Sequence, residues 1–192
     1  RKRGLGMKVL ILSGNPKKNG LCESVTEEVR QGIAEAGAEW EEVRLSDYGI
    51  ERCHVCGEGW GTCRSTHVCA FGDDGFTEVS DRVASADAVV LVTPVYWGET
   101  AETLKSFLDR FRRCQFEGEG ALSGKPVLLV ASAGGTGNGV LTCLEQMDRF
   151  CRHTGAVIFD LIGINRWSAD YKRPLARAAA KALASGRKTG TP

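Results

Sequence analysis

Four continuous apolar runs constrain this chain more than any other feature: KVLILS (8–13), AVVLVTP (88–94), PVLLVAS (126–132) and AVIFDLI (156–162). Each is strand-sized, and none shows the in–out alternation of a strand with one wet face. Strands of this composition are buried on both sides, which requires helices on both faces of a parallel sheet. The intervening segments supply those helices. Residues 21–37 carry Val25, Val29 and Ile33 at intervals of four. Residues 100–113 carry Leu104, Phe107, Leu108 and Phe111, and residues 139–153 carry Val140, Leu144, Met147 and Phe150. These spacings place the apolar side chains on one helical face. Trp40, Val43 and Leu45 mark a short second strand, residues 76–86 a modest helix, and residues 170–185 a closing helix.

Five strands wound in this order predict a doubly wound α/β fold of flavodoxin-like type, in three α/β/α layers, with ligands beyond the strand carboxyl ends. No internal repeat or low-complexity linker divides the chain, so its 192 residues read as one domain with a cysteine-rich insertion at about 50–75. A formal net charge of +1 gives no electrostatic reason for a nucleic-acid or membrane partner. The apolar runs are far short of a membrane span. The basic start RKRGLG is followed by no apolar signal region, which predicts a cytoplasmic protein. Eight cysteines in that compartment read as thiols or ligands rather than disulfides.

Winding and handedness put the loops after the first, third and fourth long strands on one edge. The first, SGNPKKNGLCES (13–24), runs directly into a helix and offers Ser13, Asn15, Lys17, Lys18, Asn19 and Ser24. Its amides and the helix terminus suit a phosphate. It contains neither the dinucleotide fingerprint nor a Walker loop, and a turn that merely caps the helix fits equally well. The second, TPVYWGET (93–100), places Tyr96 and Trp97 where the chain enters solvent, which suits a planar ligand or a partner surface. The alternative is that Trp97 covers the start of the next helix. The third, SAGGTGNG (132–139), is too rich in glycine to pack on itself and permits close backbone approach.

With these loops the sequence resembles the NADPH-dependent FMN reductase group of flavodoxin-like proteins, and most closely its iron–sulfur flavoprotein branch. TPVYWGETAETLKSFLDR (93–110) is similar to the group's T-P-V-Y-W-G…L-K-x-F-x-D-R signature. The resemblance implies that Pro94, Val95, Tyr96, Trp97 and Gly98 cradle an isoalloxazine. It also implies that Ala133, Gly134, Gly135 and Thr136 lie near the pyrimidine edge, and that Ser13, Asn15, Lys17, Lys18, Asn19, Gly20 and Cys22 hold the FMN phosphate. Asn15, Leu21 and Cys22 depart from the group's phosphate loop, removing two hydroxyl donors.

Between the second strand and the second helix lies CHVCGEGWGTC (53–63), followed by Cys69. Thiolates are soft ligands, and four of them suffice for a [4Fe–4S] cluster or a structural zinc site. The iron–sulfur branch carries C-x2-C-x2-C-x(about 5)-C here. This chain has C-x2-C-x6-C-x5-C, with Gly59 at the third cysteine's place and Cys63 four residues late. Iron–sulfur, zinc and a metal-free thiol segment therefore remain open readings, with Cys53, Cys56, Cys63 and Cys69 the ligands in the first. His54 and His67 read as loop residues facing solvent, and Cys143 and Cys151 as small buried hydrophobes. Cys22 and Cys114 stand alone in the sequence.

The expected function is that of a flavin-dependent oxidoreductase, with no obligatory side-chain base. FMN would pass electrons between NAD(P)H, or a ferredoxin-like donor, and a small acceptor such as a quinone or free flavin. A non-enzymatic electron carrier is the rival class. A homodimer or homotetramer is expected, with part of the region 100–122, which carries Phe107, Phe111 and Phe116, at its interface. Arg173, Arg177 and Lys181 recur along the last helix, opposite Leu175, Ala179 and Leu183, and read as a solvated face.

Overall fold

The computed structural model describes residues 6–115 and 120–186. Its parallel sheet runs in the order β2-β1-β3-β5-β6, built from β1 (Lys8–Ser13), β2 (Glu39–Arg44), β3 (Ala88–Tyr96), β5 (Pro126–Ser132) and β6 (Val157–Ile164). A two-residue β4 (Glu99–Thr100) folds back antiparallel on the end of β3. The helices are α1 (Gly20–Glu35), a single turn α2 (Thr62–Ser65), α3 (Phe76–Ser85), α4 (Glu102–Cys114), α5 (Val140–Thr154) and α6 (Ala169–Ala184). The five long strands and their winding are those expected from the sequence, and β4 is the addition.

Because successive strand residues point to opposite faces, the sheet divides its core into two. Val9, Ile11, Val90, Val92, Leu128 and Val130 pack under α1 and α6. Leu10, Leu12, Val89, Leu91, Val127 and Leu129 pack under α3, α4 and α5. A strand buried on both sides has no polar face to present, which is why β1, β3 and β5 read as unbroken apolar runs; β6 read the same way, but it is the edge of the sheet and leaves Val157 and Leu161 exposed. Cys143 and Cys151 are fully buried in the second of these layers, as expected of small hydrophobes.

Two expectations from the sequence are corrected. Phe107 and Phe111 do not face a partner. Phe107 is 1% exposed, 5.5 Å from Phe76 and 5.4 Å from Phe111 between ring centroids, and lies at the centre of the core under α4. Phe116 lies outside the described residues. The basic stripe of α6 is not simply solvated either. Arg177 pairs with Glu28 at 2.8 Å and Lys181 with Glu35 at 3.1 Å, so both meet the acidic side of α1. The buried face of α6 is Ala176, Ala179, Ala180 and Leu183, while Leu175 is 48% exposed. Alanines let α1 and α6 approach closely, and the charged side chains then reach across the seam.

The register aligns the strand ends that matter. Ser13 sits between Arg44 of β2 and Val92 of β3, and Pro94 lies opposite Ser132 of β5. The loops after β1, β3 and β5 therefore emerge side by side. Phe107→Ala should cost about 3–5 kcal/mol in urea unfolding, the range for deleting a buried phenyl ring. An unchanged unfolding midpoint would return Phe107 to a surface role.

Candidate functional site

At the end of β1, the N–H of Gly14 continues the sheet by donating to the Val92 carbonyl at 2.8 Å. The chain then turns around Asn15. Its Nδ2 donates to the Lys17 carbonyl at 2.7 Å, its Oδ1 accepts from the Lys17 N–H at 3.2 Å, and its own N–H donates to Ser13 Oγ at 3.3 Å. Asn15 and Ser13 thus shape the loop from within rather than offering free side chains. From behind, Arg44 Nη2 donates to the carbonyls of Lys17 at 2.8 Å and Asn15 at 3.4 Å. Arg44 is itself paired with Glu23 at 2.8 Å. A planar peptide whose carbonyl faces Arg44 points its N–H the other way, so the Lys18 amide faces away from Arg44. Asn19 is the N-cap of α1 but makes no side-chain capping bond, which leaves the first-turn amides of α1 without intrahelical partners. Lys17 and Lys18 are exposed beside them. Free amides with two ammonium groups make an anion cradle.

Two residues of this loop sit differently from expectation. Cys22 faces the core under α1, where burial above all pushes its thiol up to about 12. Only its backbone amide is available to a ligand. Ser24 Oγ donates to the Leu21 carbonyl at 2.8 Å inside the helix, so it does not replace the missing hydroxyls.

The loop after β3 is a hairpin. Trp97 and Gly98 both have positive φ, 54° and 85°, as the two central residues of a two-residue type I′ turn require. This conformation holds Trp97 fully out in solvent and leaves Tyr96 exposed. Trp97 therefore does not cover the start of α4. The hairpin is braced against the glycine-rich loop, where Thr142 Oγ1 donates to the Gly98 carbonyl at 2.8 Å. A Cβ on Gly139 would stand 2.5 Å from Gly98 Cα, so glycine at 139 allows the two loops to touch. Pro94 and Val95 are half-buried beneath them. Ala133 is buried, its N–H donating to the Ile164 carbonyl at 2.9 Å, whereas Gly134, Gly135 and Thr136 are exposed with open space above both glycines. The three loops leave an anion cradle at one end and an aromatic hairpin facing a bare glycine backbone at the other.

The cysteine segment packs beside this edge. Along residues 51–71, most positions are exposed, and the half-buried ones are Cys53, Cys56, Gly59, Trp60, Gly61, Cys63 and Cys69. The four cysteines line one pocket. The late Cys63 arrives there by a fold in the chain. The Gly59 N–H donates to the Cys56 carbonyl at 3.0 Å, closing a turn. The chain then passes so close to Cys56 that a Cβ on Gly61 would stand 2.9 Å from Cys56 Cβ. The turn of α2 follows, and Cys63 faces inward from it. Arg113 of α4 pins this enlarged loop, donating to the Gly59 carbonyl at 2.5 Å with its guanidinium 4.7 Å from the Trp60 ring. His54 and His67 are exposed as expected, and His54 stacks on Phe71 at 4.3 Å.

Behind the pocket stands Arg110, 3% exposed. It donates to Asp74 at 2.5 Å, to the Phe71 carbonyl at 2.5 Å, to the Glu51 carbonyl at 3.1 Å and to Cys69 Sγ at 3.3 Å. Burial alone would raise the Asp74 carboxyl. The Arg110 guanidinium and the amides of Glu51 and Phe76 outweigh it and hold Asp74 below the usual aspartate range. Cys114, at the end of α4, forms part of the pocket wall, and burial first, then the neighbouring cysteines, pushes its thiol up to about 12. Among the described residues, no three His, Cys, Asp or Glu side chains converge as a single-ion site would require.

Residues 7–165 match the family of NADPH-dependent FMN reductases. The chain belongs to that family. It is 32% identical to an iron–sulfur flavoprotein of Methanosarcina thermophila over 69% of this chain and 66% of that protein. It is 30% identical to an iron–sulfur flavoprotein of Methanocaldococcus jannaschii over 75% of this chain and 71% of that one. The chain thus spans about two thirds of the length of these relatives. Its fold is similar to that of a flavone reductase, with a TM-score of 0.71, 20% identity, and coverage of 94% of this chain and 62% of the other. It is also similar to an NAD(P)H:quinone oxidoreductase from Methanothermobacter marburgensis, with a TM-score of 0.67, 20% identity, and coverage of 93% and 97%. Among the described residues, no helix is long and apolar enough to cross a membrane.

Neither the motifs nor the composition assigned a role to Arg44, Arg113 or Cys114, and Arg110 stood only as the last residue of the 93–110 signature, with no role given to it. Arg44 had a signal: a lone cation at the carboxyl end of the strand beside β1. The other three sit on α4, whose charged positions read as an ordinary wet face. Because the folded state lowers the Asp74 pKa, its contribution is complete above the ordinary aspartate value of about 3.9 and is lost as pH falls through the folded value. Asp74→Asn should therefore unfold at lower denaturant than the parent at neutral pH, with the gap narrowing below about pH 4. A gap unchanged between about pH 6 and pH 3 contradicts this assignment.

Proposed function

We propose that this chain is a flavin-dependent oxidoreductase that holds FMN on the three loops and an iron–sulfur cluster on Cys53, Cys56, Cys63 and Cys69, passing electrons from NAD(P)H or a reduced iron–sulfur donor to a small acceptor. Bound FMN supplies both one- and two-electron chemistry, and a cluster supplies single-electron steps. The protein's own task is to bind, orient and tune them.

The FMN phosphate fits the cradle of the Lys18 and first-turn α1 amides, with Lys17, Lys18, Asn19 and Gly20 around it. Ser13, Asn15 and Arg44 fix the loop's shape, and Cys22 contributes its amide. The ring fits between the hairpin of Pro94–Gly98 and the bare backbone of Gly134, Gly135 and Thr136. Exposed Tyr96 and Trp97 would then cover apolar ring surface that water otherwise meets. No side chain of the edge is needed as an acid or base.

The observation that carries the cluster is the inward turn of four cysteines, in a segment otherwise exposed, onto one pocket. Zinc and a cluster place different demands on the four sulfurs. A single zinc at about 2.3 Å from each sulfur would draw four sulfurs to about 3.8 Å of one another. In a four-iron cluster each thiolate takes a different iron, and the ligands stand further apart. Two guanidinium groups in the pocket wall, Arg110 and Arg113, also suit an anionic cluster. The iron–sulfur flavoproteins among its relatives support the same reading. We further propose a cytoplasmic homo-oligomer, whose interface excludes the core residues Phe107 and Phe111.

Anaerobically purified protein should contain about four iron and four acid-labile sulfide per chain and about one FMN. Cys63→Ala should lose most of the iron and keep its flavin, because the three loops do not use Cys63. Zinc in place of iron would overturn the cluster, and loss of FMN together with iron would overturn the separation of the two sites.

A further inference from the structure

Arg110 places a fixed positive charge on one candidate ligand. We propose that Arg110, acting through Cys69, is a tuning residue that sets the potential of the cluster, with Asp74 as its counterweight. The inference rests on the cluster reading and adds to it a role for a residue that is no ligand.

The geometry is specific. Arg110 Nη2 lies 3.3 Å from Cys69 Sγ and 2.5 Å from the Phe71 carbonyl, while Nη1 bonds Asp74 at 2.5 Å and the Glu51 carbonyl at 3.1 Å. The guanidinium also sits over the Phe76 ring at 4.3 Å. Both Nη groups are bonded twice and one face is covered by a ring, so the group is held in place when the charge beside it changes. Nearly complete burial keeps water from screening it. Hydrogen bonds to cluster sulfurs and nearby net charge are among the factors that set such potentials. Reduction adds one negative charge to the cluster. A donor aimed at a ligand sulfur stabilises that charge and raises the potential, whereas the Asp74 carboxylate opposes it.

A purely structural ion pair would behave differently. Breaking it from either side would loosen the segment in the same way. Tuning requires opposite effects, because one substitution removes a positive charge and the other a negative one.

The test is a redox titration of the holoprotein followed by EPR, on the parent, Arg110→Gln and Asp74→Asn, with iron and sulfide measured in each. Arg110→Gln should be harder to reduce, by at least tenfold in the reduced-to-oxidised ratio at a fixed potential, which is about 59 mV for one electron. Asp74→Asn should shift the other way, since Arg110 keeps its bonds to Phe71, Glu51 and Cys69. Shifts of the same sign, no shift, or loss of the cluster from both variants would overturn the inference and leave Arg110 a structural brace. Absence of iron and sulfide from the parent would instead overturn the cluster reading on which it stands.

Discussion

The buried guanidinium of Arg110 ties together parts of the molecule that are far apart in sequence. Its carrier, α4, starts four residues after Gly98 of the hairpin turn and ends against the cysteine pocket. From its place on α4, Arg110 reaches carbonyls at 51 and 71, the carboxylate at 74 and the sulfur at 69. A cation removed from water is costly unless it is paired and fully hydrogen-bonded. Arg110 is satisfied only when both ends of the cysteine segment are in place. The long irregular segment is thus ordered by the demands of one cation, with Arg113 performing a similar task for its middle.

The same helix connects the two candidate cofactor sites. Thr103 Oγ1, in its first turn, donates to the Gly14 carbonyl at 3.1 Å in the loop after β1. The Ala101 N–H, just before it, donates to Thr93 Oγ1 at 2.9 Å at the root of the hairpin. Arg110 and Arg113 face the cysteine pocket two and three turns later. A single rigid element, anchored in the core by Leu104, Phe107 and Phe111, therefore fixes the flavin edge and the thiol pocket relative to one another. A flavin and a cluster held as proposed would stand at a constant separation set by α4.

The sequence was legible where a physical period or a steric demand acts locally. Buried parallel strands must be apolar throughout, so β1, β3 and β5 were evident, whereas β6 read the same way although it is a largely exposed edge strand. The aromatic pair of the hairpin and the glycines of 134–139 were equally plain. What it hid were side chains whose partners come from elsewhere. Phe107 and Phe111 looked available to a partner because nothing local shows Phe76 and Phe150 closing over them. Asn15 looked like a lost hydroxyl donor, while in the fold it is the internal brace of its loop. Cys63 looked misplaced by four residues. Spacing along a chain cannot reveal that Gly61 passes against Cys56 and returns the next turn inward. Arg110 carried no signal of burial, since a charged residue on an amphipathic helix ordinarily faces water.

The claim at the centre of this account is that one pocket, ordered by Arg110 and Arg113, holds a four-iron cluster beside the flavin edge. It is tested most directly by anomalous diffraction at the iron edge from crystals grown without oxygen. The account predicts a single compact group of iron atoms inside the pocket, each bonded to one sulfur of Cys53, Cys56, Cys63 and Cys69. A lone ion bound by several of those sulfurs, iron held elsewhere, or no anomalous signal in the pocket would contradict it.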